Sequence, residues 1–410
     1  MRHALLMSRG ALLALALLAG PLAAQEPEPE PEAMPPRVSY FPYLTSTPND
    51  GVFGVARIIR FRQAPWDARV TNLREHSLDL GFSTRSSYLV RGDYKRLWLD
   101  EGWRARLRVE ATRESHFGDG SDDGFPDSDV NPMRRTRQDG WLDVTRRLRG
   151  PLQLALRGAI DRQELSGPPT ALIVRYPSAS LDDGRIPCVT GPCPAVYIPA
   201  TITQTDAQLR AALVLDTRDN EYNPNRGLLL EAGAFTGSAG DGYTGGYGIA
   251  RGWISPHRGT RLTARYAFRA VSRTGAVGIQ QEIPGWESPV TTFGGGTSHR
   301  ALPVGVLVGR GLLLGGVELR HELLDFGGLG AITILGFVDG GRAFQDPSPL
   351  AIPAPGSPVP SGKLSFTFKD WTWGAGGGIG IRVLRAAQLN ITAAKANGET
   401  RWYVGSGWSW

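Results

Sequence analysis

Residues 103–115 read WRARLRVEATRES. In an extended chain Trp103, Ala105, Leu107, Val109 and Ala111 fall on one face and Arg104, Arg106, Arg108, Glu110 and Thr112 on the other, because successive strand side chains alternate. A water-soluble sheet would bury the apolar face and wet the charged one. A transmembrane barrel does the reverse: apolar side chains meet lipid, charges line a polar lumen, and strands of about ten residues are separated by turns. The same texture, Arg or Asp set against Leu, Val, Tyr or Trp, runs from Arg37 to the last residue.

Segments with this period predict strands at 37–46, 52–62, 73–83, 87–98, 103–114, 137–148, 152–163, 204–216, 226–238, 243–255, 260–272, 311–323, 331–343, 369–383, 386–395 and 401–410. The total, about sixteen, is even, as in bacterial outer-membrane barrels. The connections then sort by parity. DEG at Asp100, RG at Arg149, SPHRG at Ser255 and LRAA at Leu384 are short, whereas the long connections 115–136, 164–203, 273–310 and 344–368 all belong to the alternate set. Bacterial barrels keep short turns on the periplasmic side and long loops outside, and a sandwich has no reason to sort its loops this way. Glycine fits as well: 53 of 410 residues, about 13% against a usual 7%, relieve crowding where strands bend and approach closely. The expected fold is all-β, a single transmembrane antiparallel β-barrel of about 16 strands over 37–410.

Residues 1–24 combine a positive start (Arg2, Arg9), the short apolar run ALLALALLAG and the small-residue stretch PLAAQ, which reads as a secretory signal peptide cleaved after Ala24. Residues 25–36, QEPEPEPEAMPP, form a Pro/Glu-rich linker with little to bury. No later segment reaches the roughly 18 uninterrupted apolar residues of a membrane-spanning helix. Losing the signal removes two arginines, so the formal charge falls from +6 to 6 − 2 = +4. Lysine is confined to Lys95, Lys363, Lys369 and Lys395, and the arginines are interspersed with Asp and Glu. Nucleic acid, which would want a clustered basic face and is absent outside the cell, is not expected as a partner.

Four segments in order resemble the outer-membrane protein assembly-factor superfamily, the bacterial surface-antigen barrels that include BamA- and TamA-like proteins. SYFPYLTSTPNDGVFGVARIIRF, from Ser39, is similar to that family's opening hairpin. LDTRDNEYNPNRGLLLEAG, from Leu215, is similar to its D-x-R-D…P-x-x-G periplasmic turn, through Asp216, Arg218, Asp219, Pro224 and Gly227. FGGGTSHRALPVG, from Phe293, lies in the long 273–310 loop, where the family keeps an Arg-Gly-aromatic tip folded back into the lumen. Arg300 matches the arginine, while Ala301 and Leu302 stand where Gly and an aromatic are usual. GGVELRHEL and GFVDGGRAF follow, the second matching an F-x-D-x-G pattern through Phe337, Asp339 and Gly341. The resemblance implies an in-folded loop, and an arginine inside a lumen needs a carboxylate. Asp339 or Glu318 can grip its planar guanidinium bidentately, locking the loop. The closing RWYVGSGWSW resembles the C-terminal strand signal of outer-membrane barrels, with Trp402, Gly405, Trp408 and Trp410 in its pattern.

From this resemblance the expected role is insertion or transport of protein or lipid at the cell outer membrane. Both termini would be periplasmic, and the partners would be outer-membrane lipid, the barrel-insertion machinery during biogenesis, and periplasmic protein or lipid clients. The alternative is a passive pore or structural barrel with a loop-plugged lumen. Family members that assemble proteins carry periplasmic docking modules before the barrel, and here only the 25–36 linker precedes the first strand.

Residues in patterns that carry chemistry are few. His76, His116, His257, His299 and His321 show no metal-ligand spacing, no G-x-S-x-G or zincin motif occurs, and adjacent Ser298 and His299 point apart on a strand or loop. No enzyme activity, cofactor or metal is expected. Cys188 and Cys193, in CVTGPC within the 164–203 connection, are expected to form a disulfide in an oxidising compartment, worth about 2 kcal/mol for so small a loop. DGSDDGFPDSD offers Asp119, Ser121, Asp123 and Gly124 in calcium-loop spacing, but Val130 occupies the place of the closing Glu, so a solvated acidic loop is the reading and calcium its alternative.

Overall fold

The computed structural model of the chain describes residues 35–47, 51–64, 69–119, 132–166, 201–240, 242–272, 279, 282–286, 294–302, 309–326, 330–344, 368, 371–383 and 387–406. Among them run sixteen strands: β1 (Arg37–Thr47), β2 (Gly51–Gln63), β3 (Asn72–Ser83), β4 (Tyr88–Trp98), β5 (Trp103–Asp119), β6 (Pro132–Arg149), β7 (Leu152–Ser166), β8 (Thr201–Asp216), β9 (Gly227–Gly237), β10 (Tyr243–His257), β11 (Thr260–Val271), β12 (Gly311–Asp325), β13 (Gly330–Phe344), β14 (Thr372–Val383), β15 (Ala387–Ala396) and β16 (Glu399–Ser406). Each strand pairs antiparallel with its sequence neighbours, and β1 meets β16 to close the ring. The fold is thus the sixteen-stranded antiparallel barrel that the alternation implies.

The strand ends differ from the sequence expectation where alternation lapses. β5 and β6 run on to Asp119 and from Pro132, beyond the expected 114 and 137, because pairing resumes at Gly118↔Met133 after a bulge. A bulge shifts the side-chain parity and so hides the strand from a period-two reading. At the other end of the chain β16 begins at Glu399 rather than 401, directly after a two-residue turn. Asn397 and Gly398 both have left-handed φ, 51° and 89°, as a type I′ hairpin turn requires.

Parity fixes the two surfaces. Ile58, Leu78, Val109, Leu142, Ile160 and Leu213 face outward and are exposed, whereas their neighbours one position along line the interior. The WRARLRVE stretch obeys this, with Leu107 and Val109 outside and Arg106 and Arg108 within, the latter bonded to Asp93 at 2.6 Å. This inversion of the soluble pattern is what a lipid-facing wall and polar lumen demand.

The lumen has two different sides. Around β2–β7 charges pair across strands, part-buried for Arg57 with Glu75 at 3.2 Å and Arg91 with Glu110 at 2.5 Å, and buried for Arg157 with Asp143 at 2.6 Å through Nη2. On β9 and β10 the wall is aromatic, with Phe235, Tyr243, Tyr247 and Trp253 all buried. Several of these rings lie over glycines: a Cβ at Gly233 would meet the Tyr247 ring at 2.6 Å, and one at Gly245 the Phe235 ring at 2.3 Å. Part of the high glycine content therefore makes room for a dense interior.

Candidate functional site in the lumen

The connection between β11 and β12 enters the barrel. Its described residues Ile279, Ile283, Trp286, Ser298, His299, Arg300, Ala301 and Leu302 are buried, and the apolar ones pack with the aromatic wall. The tip, 294–302, is compact: Ser298 N–H donates to Gly295 O at 3.1 Å and Leu302 N–H to His299 O at 3.0 Å. The left-handed backbone falls on Gly294 (φ 102°) and Gly295 (φ 91°), so Ala301 is not asked for a conformation it resists. Opposite Ala301, a Cβ on Gly374 of β14 would lie 2.2 Å from the alanine's own Cβ. The glycine on the facing strand leaves the space that the tip needs.

Arg300 stands between β12 and β13. Its Nε and Nη2 donate to Asp339 Oδ2 and Oδ1 at 2.8 and 3.0 Å, and its backbone N–H donates to the same Oδ2 at 3.1 Å. Nη1 donates to Glu318, whose other oxygen accepts from Arg320. The guanidinium lies 3.3 Å from the Phe337 ring centroid, a cation–π contact on the face opposite lipid-facing Val338. Exposures of 1% for Arg300, 1% for Glu318 and 0% for Asp339 place the whole cluster out of water. So the structure brings Arg300, Asp339 and Glu318 together, with the arginine held by both carboxylates.

Further arginines, not singled out from the sequence, grip the loop through its backbone. Arg265 donates to Thr297 O at 3.2 Å and to Ser298 O. Arg269 donates to Glu282 O at 2.9 Å and Gly309 O at 2.8 Å. Arg106 and Arg157 both donate to Trp286 O, at 3.2 and 3.0 Å, while Trp286 N–H donates to Glu231 at 2.8 Å. Two more contacts come from the last strand: Arg401 Nη1 donates to Ala301 O at 2.8 Å and Tyr403 Oη to Leu302 O at 3.1 Å. The available signal was RLTARYAFR, where Arg261, Arg265 and Arg269 share the inward face with no carboxylate on the same strand. Such arginines must find acceptors elsewhere: Arg261 pairs with Glu322 of β12 at 3.0 Å, while Arg265 and Arg269 take loop carbonyls.

At the turn end, residues 216–227 form a second ordered element. Asp216 accepts from Arg218 through Nε at 3.0 Å and Nη2 at 2.9 Å, and pairs with Arg69 from the β2–β3 connection at 3.0 Å. Glu221 pairs with Arg104 on β5 at 2.5 Å, so the turn touches elements far from its own strands. Burial alone would raise the Glu221 carboxyl, but Arg104 outweighs it and holds the group below its ordinary value. Gly227 has φ 116°, and a Cβ there would lie 2.5 Å from Thr217 O, so this position accepts glycine alone. Pro224 is buried.

Asp219 organises the turn by accepting the N–H groups of Asn225 at 2.9 Å and Arg226 at 3.3 Å. Partial burial pushes its carboxyl up, and these hydrogen bonds more than reverse that, leaving it below the ordinary value. A depressed carboxylate contributes stability that is fully present above the unfolded value near 3.9 and is lost as pH falls through the lower folded value. Protease sensitivity of the 217–226 turn is therefore expected to be flat above about pH 5 and to rise below pH 4. In Asp219→Asn that acid-dependent rise should shrink, the remainder coming from Glu221, which is also held below its ordinary value.

The remaining sequence candidates divide simply. Trp402 is exposed on the outer face of β16 and Gly405 lies on the same strand, whereas Trp408 and Trp410 fall outside the described residues. Cys188 and Cys193 also fall outside them, as do Ser121, Asp123, Gly124 and Val130 of the acidic loop. Ser298 Oγ accepts the Gly294 N–H at 2.7 Å, while His299 Nε2 lies 3.0 Å from Thr372 O, so the two side chains serve separate backbone groups. The cluster is chemically a clamp of charge-assisted hydrogen bonds around a loop.

No protein-family model and no curated protein matches the chain. Solved structures do. The barrel is similar to the crystal structure of BamA from Haemophilus ducreyi lacking POTRA domains 1–3, with TM-score 0.58 and 11% identity over 91% of this chain and 70% of that one. It is similar also to CdiB from Escherichia coli, with TM-score 0.55 and 10% identity over 90% of this chain and 62% of that one. At such identity the likeness carries the fold, and the chain has a BamA-like barrel.

Proposed function

We propose that the protein is an outer-membrane barrel that assists insertion or transport of protein or lipid, acting through the seam between β1 and β16. The observation that carries this reading is the register there. Among the described residues the seam contains one Cα pair, Ser46↔Val404, whereas β15–β16 runs from Leu389↔Ser406 to Ala396↔Glu399 without interruption. A wall of backbone hydrogen bonds opens most easily where the fewest residues are paired. The BamA-like fold supports the reading, since the assembly-factor superfamily that the four sequence motifs resemble includes BamA-like barrels.

In this proposal Arg300, Asp339 and Glu318 lock the loop inside, and the Asp216–Gly227 turn braces the periplasmic mouth. Trp402, Gly405, Trp408 and Trp410 carry the C-terminal sequence signal that the insertion machinery reads. The short connections, and with them both termini, face the periplasm because the long connections share the other end. Clients are periplasmic protein or lipid.

A disulfide between Ser46→Cys and Val404→Cys tests the seam. In proteoliposomes the oxidised double variant is expected to lose at least tenfold of any acceleration of client-barrel insertion or lipid transfer, and reduction is expected to restore it. Full activity in the cross-linked state would reject the seam. A steady conductance in planar bilayers that persists after cross-linking, with no client activity, would instead establish the passive pore.

A further inference from the structure

At the mouth formed by the short connections, elements from opposite walls meet over the lumen. Arg69, in the β2–β3 connection, pairs with Asp216 at 3.0 Å, and its carbonyl accepts the Glu221 N–H at 2.9 Å. Glu221 also pairs with Arg104 of β5 at 2.5 Å. From the other wall Arg261 of β11 donates to Asn225 Oδ1 at 2.7 Å and to Asn223 Oδ1 at 3.1 Å, and Tyr222 lies near Arg382 of β14. The strands β3 and β11, at the two ends of this chain of contacts, are 11 − 3 = 8 steps apart in a ring of sixteen, so they stand diametrically opposite. At roughly 4.8 Å per strand such a ring is on the order of 25 Å across, too wide for opposite walls to meet unaided. The 217–226 turn is the element that spans it.

The turn is braced internally and tied lightly to the walls. Asp219 accepts the N–H groups of Asn225 and Arg226, and Asn220 Oδ1 accepts those of Tyr222 and Asn223 at 2.9 Å each. Its contacts with β5 and β11, by contrast, are made by side chains alone. A rigid segment that hangs on a few element-terminal residues is the usual form of a moving closure, and here those residues are Thr217 and Gly227.

One layer deeper the lumen is sealed. Along β11 the inward residues run Arg261, Thr263, Arg265; the first holds the turn and the last holds the loop tip. Between them, Thr263 Oγ1 and the Nε1 of its cross-strand partner Trp253 are buried without a hydrogen-bond partner. Thr263 is 0% exposed and Trp253 3%, although the mouth is a single inward position away.

We propose that the 217–226 turn is a lid, a second barrier in series with the Arg300 lock, which closes the lumen at the mouth of the short connections. Arg69 and Arg104 hold it shut from one wall and Arg261 from the other, and it opens by swinging on Thr217 and Gly227. The proposal deepens the bracing role given to the turn above and does not involve the seam, so either can fail alone. A solute or client arriving from that side meets the lid before it meets the loop.

Thiol labelling of the full chain in detergent tests it. Thr263→Cys, in a chain carrying Cys188→Ser and Cys193→Ser, reports access to the sealed layer by a charged methanethiosulfonate reagent. The triple variant E221A/N223A/N225A removes the lid's own side chains that reach β5 and β11 and leaves the walls intact. It is expected to label at Thr263→Cys about tenfold faster than the otherwise wild-type chain, because labelling follows the population of the open form. Ala343→Cys, buried on the inward face at the loop end, should label at an unchanged rate. If heat-modifiable gel mobility shows that the triple variant does not fold, Glu221→Ala alone, at a half-buried position, should give about a threefold rise. Equal rates with and without the lid changes would overturn the lid, as would an equal rise at Thr263→Cys and Ala343→Cys, which marks a barrel loosened as a whole. A rate at Thr263→Cys that rises with Arg300→Met but not with the lid changes would place the entry at the loop end and overturn it too.

Discussion

Replacing Arg300 with methionine is expected to free the loop tip and to cost the barrel about 3–5 kcal/mol, the usual consequence of removing one partner from a buried ion pair. Asp339 is the residue that suffers. It loses three hydrogen bonds from Arg300 and keeps Arg265 at 3.6 Å, whereas Glu318 keeps Arg320. The measurements are urea unfolding followed by gel mobility, and limited proteolysis within 273–310 of the folded protein. Adding Asp339→Asn to Arg300→Met should recover part of the loss, because the uncompensated charge is then gone. An unchanged proteolysis pattern in Arg300→Met would mean that the loop is held by its other contacts, and the lock would have to be abandoned.

Gly374→Ala is expected to have nearly as large an effect from a position that carries no charge. Its new methyl would stand 2.2 Å from the Ala301 Cβ and 3.2 Å from His299 Cε1, so the tip must move. Overpacking of this kind costs about 1–3 kcal/mol, and here it also pulls Arg300 away from Asp339. Ala301→Gly removes the colliding atom. The double variant Gly374→Ala/Ala301→Gly should therefore return most of the lost stability and protease resistance, which neither a general strand defect at position 374 nor a loss of β14 pairing would allow. A double variant no better than Gly374→Ala would show that the damage lies in the strand.

The barrel was legible in the sequence because its physical cause is local. Period-two alternation is written into every strand, and loop lengths sort by parity without knowledge of any contact. That Arg300 lies inside was implied by the family resemblance; its partners were then legible physically, because an inward arginine needs a carboxylate, and Glu318 and Asp339 lie directly downstream on inward faces. Contacts between an inward side chain and a loop carbonyl were not, since every residue offers a carbonyl. Arg265, Arg401 and Tyr403 could be placed in the lumen by parity, but nothing local says that their acceptors are Thr297, Ala301 and Leu302. The start of β6 was lost to a bulge, and the role of Gly374 depends on a register between strands, which a single sequence does not carry. Asn397-Gly398 could have fixed the start of β16, since Asn-Gly is a strong hairpin signal.

The contacts of the loop tip also order events in time. Arg300 reaches Glu318 across 18 residues and Asp339 across 39, whereas Arg401 and Tyr403 reach the tip across 100 and 101. Ser46 and Val404, at the seam, are separated by 404 − 46 = 358 residues. The entropy of bringing two points together grows with the intervening chain, and a contact already made shortens the path to the next. Docking the tip on β12 and β13 therefore comes first, capture of β16 by the docked tip second, and ring closure last. On this order the plug is a scaffold for completing the wall, and a nascent chain with Arg300 removed would be delayed at its final strand before any difference appeared in its early hairpins.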